Sequence, residues 1–383
     1  MTSGQATSRL AKSPIGHLVT LPDGHQAYVP APLPRALSLD TPLVYLLDRA
    51  SRAVATLAGV GETLPNPHLL IRPFVHREAV LSSRIEGTQA SISDVFMFEA
   101  TGEPRTRFGD AREVVNYVRA LEHGLHRLRE LPLSVRLVNE LHAILLHDVR
   151  GRDRTPGQLR TRQVWIGSEG TSIGEARFIP PPPGLVRDLL DDWERFVNED
   201  LELPPLVQCA LMHYQFEAIH PYLDGNGRIG RLLITLFLCA KDVLRTPLLY
   251  LSAYFERRRD AYYDHLLALS ETGDWAAWLR FFLEGVVEQA EDALERCRRL
   301  RALQDEFREL TQARRLSANA VRLTERLFAN PYVTAPMAAA ALGVTYPGAR
   351  LILERLEHVG VLTSIPDTRP RLYVAAKVLD AIQ

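Results

Sequence analysis

The sequence predicts a mainly α-helical protein with one internal β-hairpin and a C-terminal winged-helix module. Three observations lead there. From Pro42 onward apolar residues recur at helical spacing, as in Leu43, Leu46, Leu47 and Ala50. Gln158 to Gly184 breaks that period and shows two β-type runs, Val164-Trp165-Ile166-Gly167 and Ala176-Arg177-Phe178-Ile179, around a Gly/Ser-rich tip. The last 67 residues read as three short helices with a tight Gly turn and a hairpin.

Length and composition set the class. The chain has 383 residues, enough for two or three domains, and 46% hydrophobic residues, ordinary for a globular core. A net charge of -1 exerts no global pull toward nucleic acid or membrane. Cys209, Cys239 and Cys297 lie far apart, which argues against a disulfide framework and a structural zinc site. Met1 to Ile15 lacks the apolar core of a signal peptide. The longest apolar run, Ile229 to Ala240, is too short to span a bilayer and contains Arg231. A soluble, cytoplasmic protein is expected.

The elements follow in order. Residues 1–38 form an arm, with a short hairpin from Val19 to Val29 around Pro22-Asp23-Gly24. The helix from Pro42 continues its apolar face through Ala53, Val54 and Leu57 until Pro65-Asn66-Pro67 breaks it. A second helix runs from Ile71 to Gly87, a good C-terminal cap, and Ser93 or Asp94 is placed to cap a short third. Residues 110–130 and 133–147 are two amphipathic helices. Pro180 to Pro183 stop the chain before a helix from Leu185 to Asn198. Leu206 to Ile219 and Ile229 to Ala240 are strongly apolar helices, followed by Ser252 to Leu269 and Asp274 to Leu316. The Arg-rich end of the last helix reads as a solvated face. Then come Ser317 to Ala329, Ala335 to Leu342 capped by Thr334, Tyr346 to Val359, and strands at Val361 to Ile365 and Arg371 to Val374. The expected division is 1–105, an N-terminal region; 106–290, a core; 291–316, a connecting helix; and 317–383, the winged-helix module.

The chemistry concentrates in His220-Pro221-Tyr222-Leu223-Asp224-Gly225-Asn226-Gly227-Arg228-Ile229-Gly230-Arg231. Gly225 to Gly230 spells G-x-G-x-x-G, but a Rossmann site needs a strand before it, and Gln208 to Ile219 is helical in pattern. A P-loop needs Gly-Lys-Ser/Thr, which Gly227-Arg228-Ile229 fails. The loop still suits an anion. It opens a helix whose first N–H groups are unpaired, and Gly225 and Gly227 let the backbone approach a phosphate. Arg228 and Arg231, three apart, can each fork a phosphate oxygen. Asp224 is a hard oxygen ligand suited to Mg²⁺ on phosphates. A neutral His220 can take a proton from a hydroxyl.

These twelve residues resemble the Fic family signature, H-P-F-x-D-G-N-G-R-x-x-R, with Tyr222 in place of Phe. The resemblance implies a helical Fic fold that transfers AMP from ATP to a Ser, Thr or Tyr hydroxyl of a protein. It assigns His220 as the catalytic base and Asp224 to Mg²⁺. Gly225, Asn226 and Gly227 form the anion hole, with the Asn226 amide well suited to a phosphate oxygen. Arg228 takes the β-phosphate and Arg231 the γ-phosphate. Doc-like relatives, which phosphorylate, carry Lys in place of the second loop Gly, so Gly227 and Arg228 favour AMP transfer.

Ser82-Ser83-Arg84-Ile85-Glu86-Gly87 resembles the family's inhibitory motif, [S/T]-x-x-x-E-[G/N]. Ser82 and Glu86 share a helix face, and Glu86 on Arg231 would occupy the guanidinium that the γ-phosphate needs. The hairpin resembles the family's flap, which holds the target by strand addition, and Gly157-x-x-Arg160-x-x-Gln163 matches what precedes it. Tyr263, in Tyr262-Tyr263, resembles an adenine-side contact. A homodimer and self-modification also fit the family.

The C-terminal module is a common companion in bacterial relatives, but residues 316–383 carry seven basic and five acidic side chains, a modest footprint for DNA. Target docking or dimerisation suits it as well as DNA binding. The alternatives to an autoinhibited adenylyltransferase are a hydrolase that removes AMP with Glu86 at the same site, and a nucleotide-sensing transcription regulator. The intact His220 argues against the regulator.

Overall fold

A computed structural model of the chain describes residues 8–63, 67–101, 109–167 and 170–382, and what it describes is mostly helical. The break expected at Pro65-Asn66-Pro67 lies partly outside the described residues. The expected N-terminal hairpin is present as β1 (Gly16–Thr20) and β2 (Gln26–Pro30), paired from Gly16 opposite Pro30 to Thr20 opposite Gln26. Gly24 supplies the left-handed turn at φ 88°. The Tyr28 N–H then donates to the Ile179 carbonyl at 2.8 Å, so the arm is pinned to the end of the expected flap.

Among the described residues, eleven helices follow: α1 (Thr41–Thr63), α2 (Pro67–Ile85), α3 (Ile92–Thr101), α4 (Gly109–Arg127), α5 (Val135–Leu145), α6 (Pro183–Asn198), α7 (Pro205–Ile219), α8 (Asn226–Ala240), α9 (Ser252–Arg257), α10 (Arg259–Thr272) and α11 (Trp275–Ala313). α7 is buried nearly all round, as its apolar surface requires. Two indoles bracket it: Trp193 donates to the Met212 carbonyl at 3.1 Å and Trp278 to the Ala210 carbonyl at 2.9 Å. Each large apolar side chain buried around α7 and α8 contributes about 1.5–3 kcal/mol. This packing makes both ends of the intervening loop rigid. α11 runs along α1 and is continuous across the division expected at residue 290.

Three local expectations change. Ser91, not Ser93 or Asp94, caps α3: its N–H and hydroxyl donate to the Asp94 carboxylate, and the Asp94 N–H donates back to Oγ at 3.1 Å. The helix expected from Ser252 to Leu269 is interrupted at Arg258, where ψ is 38°, giving α9 and α10. Among its described residues, the hairpin at 163–179 is reduced to one bridge, Ile166 opposite Phe178. A 3₁₀ turn at Ile173–Glu175, closed by Ser172 and Glu175, takes up chain that a return strand would need. Beyond Phe178, Pro180 to Pro183 have no N–H to donate to a ladder.

The C-terminal region contains α12 (Ala318–Arg326), β3 (Tyr332–Thr334), α13 (Ala335–Leu342), α14 (Tyr346–His358), β4 (Thr363–Ile365), β5 (Leu372–Val374) and α15 (Ala376–Ile382). The sheet order is β3-β5-β4, antiparallel throughout. β3 and α15 were not expected. Both matter to docking: the Tyr332 and Ser93 hydroxyls are hydrogen-bonded, Asn330 donates to the Phe96 carbonyl at 3.2 Å, and Arg296 donates to the Ile382 carbonyl at 2.7 Å. Among the described residues, no helix is long and apolar enough to cross a membrane.

Candidate active site

The loop between α7 and α8 holds the candidate chemistry. His220 caps α7 in the left-handed region, φ 51° and ψ 62°, its N–H on the Phe216 carbonyl at 3.0 Å. The side chain is partly exposed, and its Nδ1 lies 3.3 Å from the Glu217 carbonyl. A carbonyl only accepts, so Nδ1 carries the proton and Nε2 is the free base. Burial, then the charge of Arg160, pushes the imidazole pKa down to about 4, so the base form holds at neutral pH.

Arg160 secures this end of the loop. It is 2% exposed, and its Nε donates to the His220 carbonyl at 2.8 Å. Its Nη2 reaches the carbonyls of Pro181 at 2.5 Å and Ile219 at 3.3 Å, and its own N–H donates to Pro221 at 2.9 Å. The sequence marked Arg160 within a motif but gave it no role.

The turn that opens α8 is where the sequence leads one to expect an anion cradle. Gly225 is left-handed at φ 78° and precedes the free N–H groups of α8. The Asn226 amide is engaged within the loop: Oδ1 accepts the Tyr222 N–H at 2.8 Å and Nδ2 gives one of its two hydrogens to the Tyr222 carbonyl at 2.9 Å. That side chain closes the loop, which leaves the Asn226 backbone N–H for the cradle. Tyr222 is fully buried, and its hydroxyl donates to Asn139 at 2.7 Å, so it keeps the anchoring role expected of the aromatic.

Arg228 is 1% exposed, with Nη1 on Glu113 at 3.2 Å and Nη2 on Asp224 at 3.4 Å. Its Nε is buried without a hydrogen-bond partner among the described residues. Glu113 lies on α4 and also accepts from the Thr88 hydroxyl at 3.2 Å; the sequence did not identify it. Among the described residues, no three His, Cys, Asp or Glu side chains converge on a metal site. Asp224 alone, 35% exposed, suits Mg²⁺ arriving on a nucleotide, whose other ligands are phosphate oxygens and water.

Arg231, 1% exposed in its side chain, meets both residues of the expected inhibitory motif. Its Nε donates to Ser82 Oγ at 3.0 Å, and Nη2 donates to the Ser82 carbonyl at 3.0 Å and to Glu86 Oε1 at 2.6 Å. Nη1 is buried and unpartnered. Burial would raise the Glu86 pKa, but the charge and hydrogen bond of Arg231, with the charge of Arg228, outweigh it and hold the carboxyl below its usual range. A methyl on Gly227 would overlap the Glu86 carboxylate. Glu86 therefore lies against the first turn of α8, where the sequence expected phosphate.

The tyrosine pair divides. Tyr262 is core, its hydroxyl 2.9 Å from Nε2 of buried His213. Tyr263 is partly exposed beside the Glu86–Arg231 charges, with Arg259 5.8 Å from its ring centroid.

Residues 44–126 match the Fic/DOC family N-terminal profile and residues 132–238 the Fic/DOC family profile. Over 159 residues the chain is 29% identical to protein adenylyltransferase Fic of Drosophila melanogaster and 28% identical to that of Drosophila erecta. The match covers 41% of this chain but only 29% and 28% of those proteins, so the chain spans less than a third of these curated relatives. In fold it is similar to a Fic family protein from Desulfovibrio desulfuricans G20, with a TM-score of 0.58, 19% identity, and 88% and 97% of the two chains covered. It is also similar to Fic-1 of C. elegans, with a TM-score of 0.50, 20% identity, and 66% and 74% covered. Glu86 falls within the first matched profile and Arg231 within the second, and the chain carries both the N-terminal and the core domain of the Fic/DOC family.

Proposed function

We propose that the chain is a protein adenylyltransferase held inactive by Glu86. The observation that carries this reading is the Glu86 carboxylate on Arg231, against the glycine turn that opens α8 and on the same loop as an unprotonated His220 Nε2. In the proposed reaction Nε2 takes the proton of a target Ser, Thr or Tyr hydroxyl. The freed oxygen bonds to the α-phosphorus of ATP, the bond to the bridging oxygen breaks, and pyrophosphate leaves with its electron pair. The first N–H groups of α8 face the charge that develops. Arg228 takes the β-phosphate and Arg231 the γ-phosphate once Glu86 is displaced. Mg²⁺ on Asp224 would neutralise charge on the α- and β-phosphates. Tyr263 lines the adenine side, and residues 163–179 hold the target backbone.

The depressed Glu86 pKa makes this carboxylate a poor proton acceptor, which favours a brake over a base for AMP removal. We read residues 317–383 as a winged helix. Within it Arg350 is paired with Glu354 and Arg371 with Glu357, which suits a protein partner better than a phosphate backbone.

The test is incubation of wild type, Glu86→Gly and His220→Ala with Mg²⁺ and α-labelled ATP. Label that rises in Glu86→Gly and vanishes when His220→Ala is added supports the proposal. Absence of label in every variant overturns it.

A further inference from the structure

His142, on α5, is buried behind the loop with both ring nitrogens in use. The Gly157 N–H donates to Nδ1 at 2.8 Å. The main-chain carbonyl of Asp224 lies 2.9 Å from Nε2 and can only accept, so Nε2 carries the proton. These neighbours leave one neutral tautomer. The ring lies flat on Tyr222, centroids 3.8 Å apart at 8°. The Asp224 carboxylate is confined from other sides: Oδ1 by Arg228 at 3.4 Å, and Oδ2 over Gly151, where a methyl would stand 2.7 Å away.

We propose that His142 is a positioning residue for Asp224: it fixes the main chain so that the carboxylate meets Mg²⁺ entering with the nucleotide. The inference deepens the proposed function and rests on Asp224 being the Mg²⁺ ligand. The second bond, from Gly157, ties the same ring to the turn that leads through Arg160 toward residues 163–179. The Asp224 main chain thus depends on a side chain 82 residues away as well as on its own loop. Outer partners that orient a metal-binding group change metal affinity by about 10- to 100-fold.

The experiment is calorimetric titration of ATP, with Mg²⁺ and with EDTA, into full-length Glu86→Gly protein and its His142→Phe and His142→Gln derivatives. Phe keeps a ring on Tyr222 and loses both bonds. Gln returns an N–H toward the Asp224 carbonyl. The expected result is affinity weakened about 10- to 100-fold by Phe with Mg²⁺, no change in EDTA, and recovery in Gln. Equal loss with and without Mg²⁺, or parent-like binding by His142→Phe, overturns the proposal alone. Absence of Mg²⁺-dependent binding in the parent overturns the reading of Asp224, and the proposal with it. If the Phe variant does not fold, ¹⁵N signals of the wild-type ring decide: the Nε2–H tautomer is expected, and any other form overturns the proposal.

Discussion

Glu86 Oε1 and Arg231 Nη2 lie 2.6 Å apart, joining the end of α2 to the second turn of α8. Arg231 is buried while the Glu86 side chain is 30% exposed, so water softens the pair without dissolving it. Breaking a fully buried pair from one side costs about 3–5 kcal/mol. With Ser82 still in place and one partner part-exposed, about 1–3 kcal/mol is expected for Glu86→Gly. The variant should melt below wild type without nucleotide. ATP should raise its melting temperature more than that of wild type, because the triphosphate replaces the lost anion. A thermal scan with and without ATP checks this, and a deficit that ATP fails to recover would tell against Arg231 as a phosphate ligand.

Gly227→Ala separates brake from cradle. Backbone strain does not enter, because Gly227 is not among the positive-φ glycines. The added methyl instead overlaps the Glu86 carboxylate and stands 2.9 Å from Arg231 Nη1. Glu86 is forced out, yet the methyl occupies the surface that the proposed phosphate site needs. The single variant and Glu86→Gly/Gly227→Ala are therefore both expected to bind ATP poorly, unlike Glu86→Gly alone. Titration with a fluorescent ATP analogue reads the difference. Tight binding by the double variant would place the anion elsewhere.

What the sequence reveals here depends on distance along the chain. His220 to Arg231 is contiguous and chemically dense, and Ser82 and Glu86 are one helical turn apart, so both groups could be read directly. Glu113, the partner of Arg228, lies 115 residues away on a helix that looks merely amphipathic. His142 sits at an apolar-face position and carries no local signal of its contact with Asp224. Asn226 has the right chemistry for a phosphate, but composition does not reveal that Tyr222 already uses both ends of its amide. The fold follows the same rule. The apolar runs of α7 and α8 announce buried helices, whereas β3 is three residues long and pairs with β5 some distance downstream.

Arg160 should control both the position and the protonation of His220. Replacement by Met leaves the carbonyls of His220, Ile219 and Pro181 without this donor, at about 1–3 kcal/mol for a buried acceptor left unpaired. It also removes a like charge that helps hold the His220 pKa near 4. Removing that repulsion raises the imidazole pKa toward its ordinary value. In the Glu86→Gly background, the acid limb of labelling should therefore move to higher pH in Arg160→Met. Labelling rate should fall more than ATP affinity, since in the proposed reaction His220 handles the target proton rather than the nucleotide. An unchanged acid limb would separate Arg160 from the base.

Glu217 offers a pH-dependent test of the charge cluster. Its Oε1 is buried without a hydrogen-bond partner, and a methyl on Gly230 would overlap it. Burial is the main cause that pushes its pKa up to about 7; Arg231 opposes this and repulsion from Glu86 adds to it. The folded value is above the unfolded value of about 4.3, so the folded state binds the proton more tightly. The resulting stabilisation is complete below the unfolded pKa and is lost as pH rises through about 7. Gln cannot ionise and escapes that loss. Glu217→Gln should match wild type in melting temperature near pH 4 and increasingly exceed it up to about pH 8. In a Glu86→Gly background the advantage of Gln should be smaller and level off at lower pH, because one repelling carboxylate is gone. Melting curves across this range decide the point, and a difference independent of pH would show that Glu217 is not held protonated by its burial.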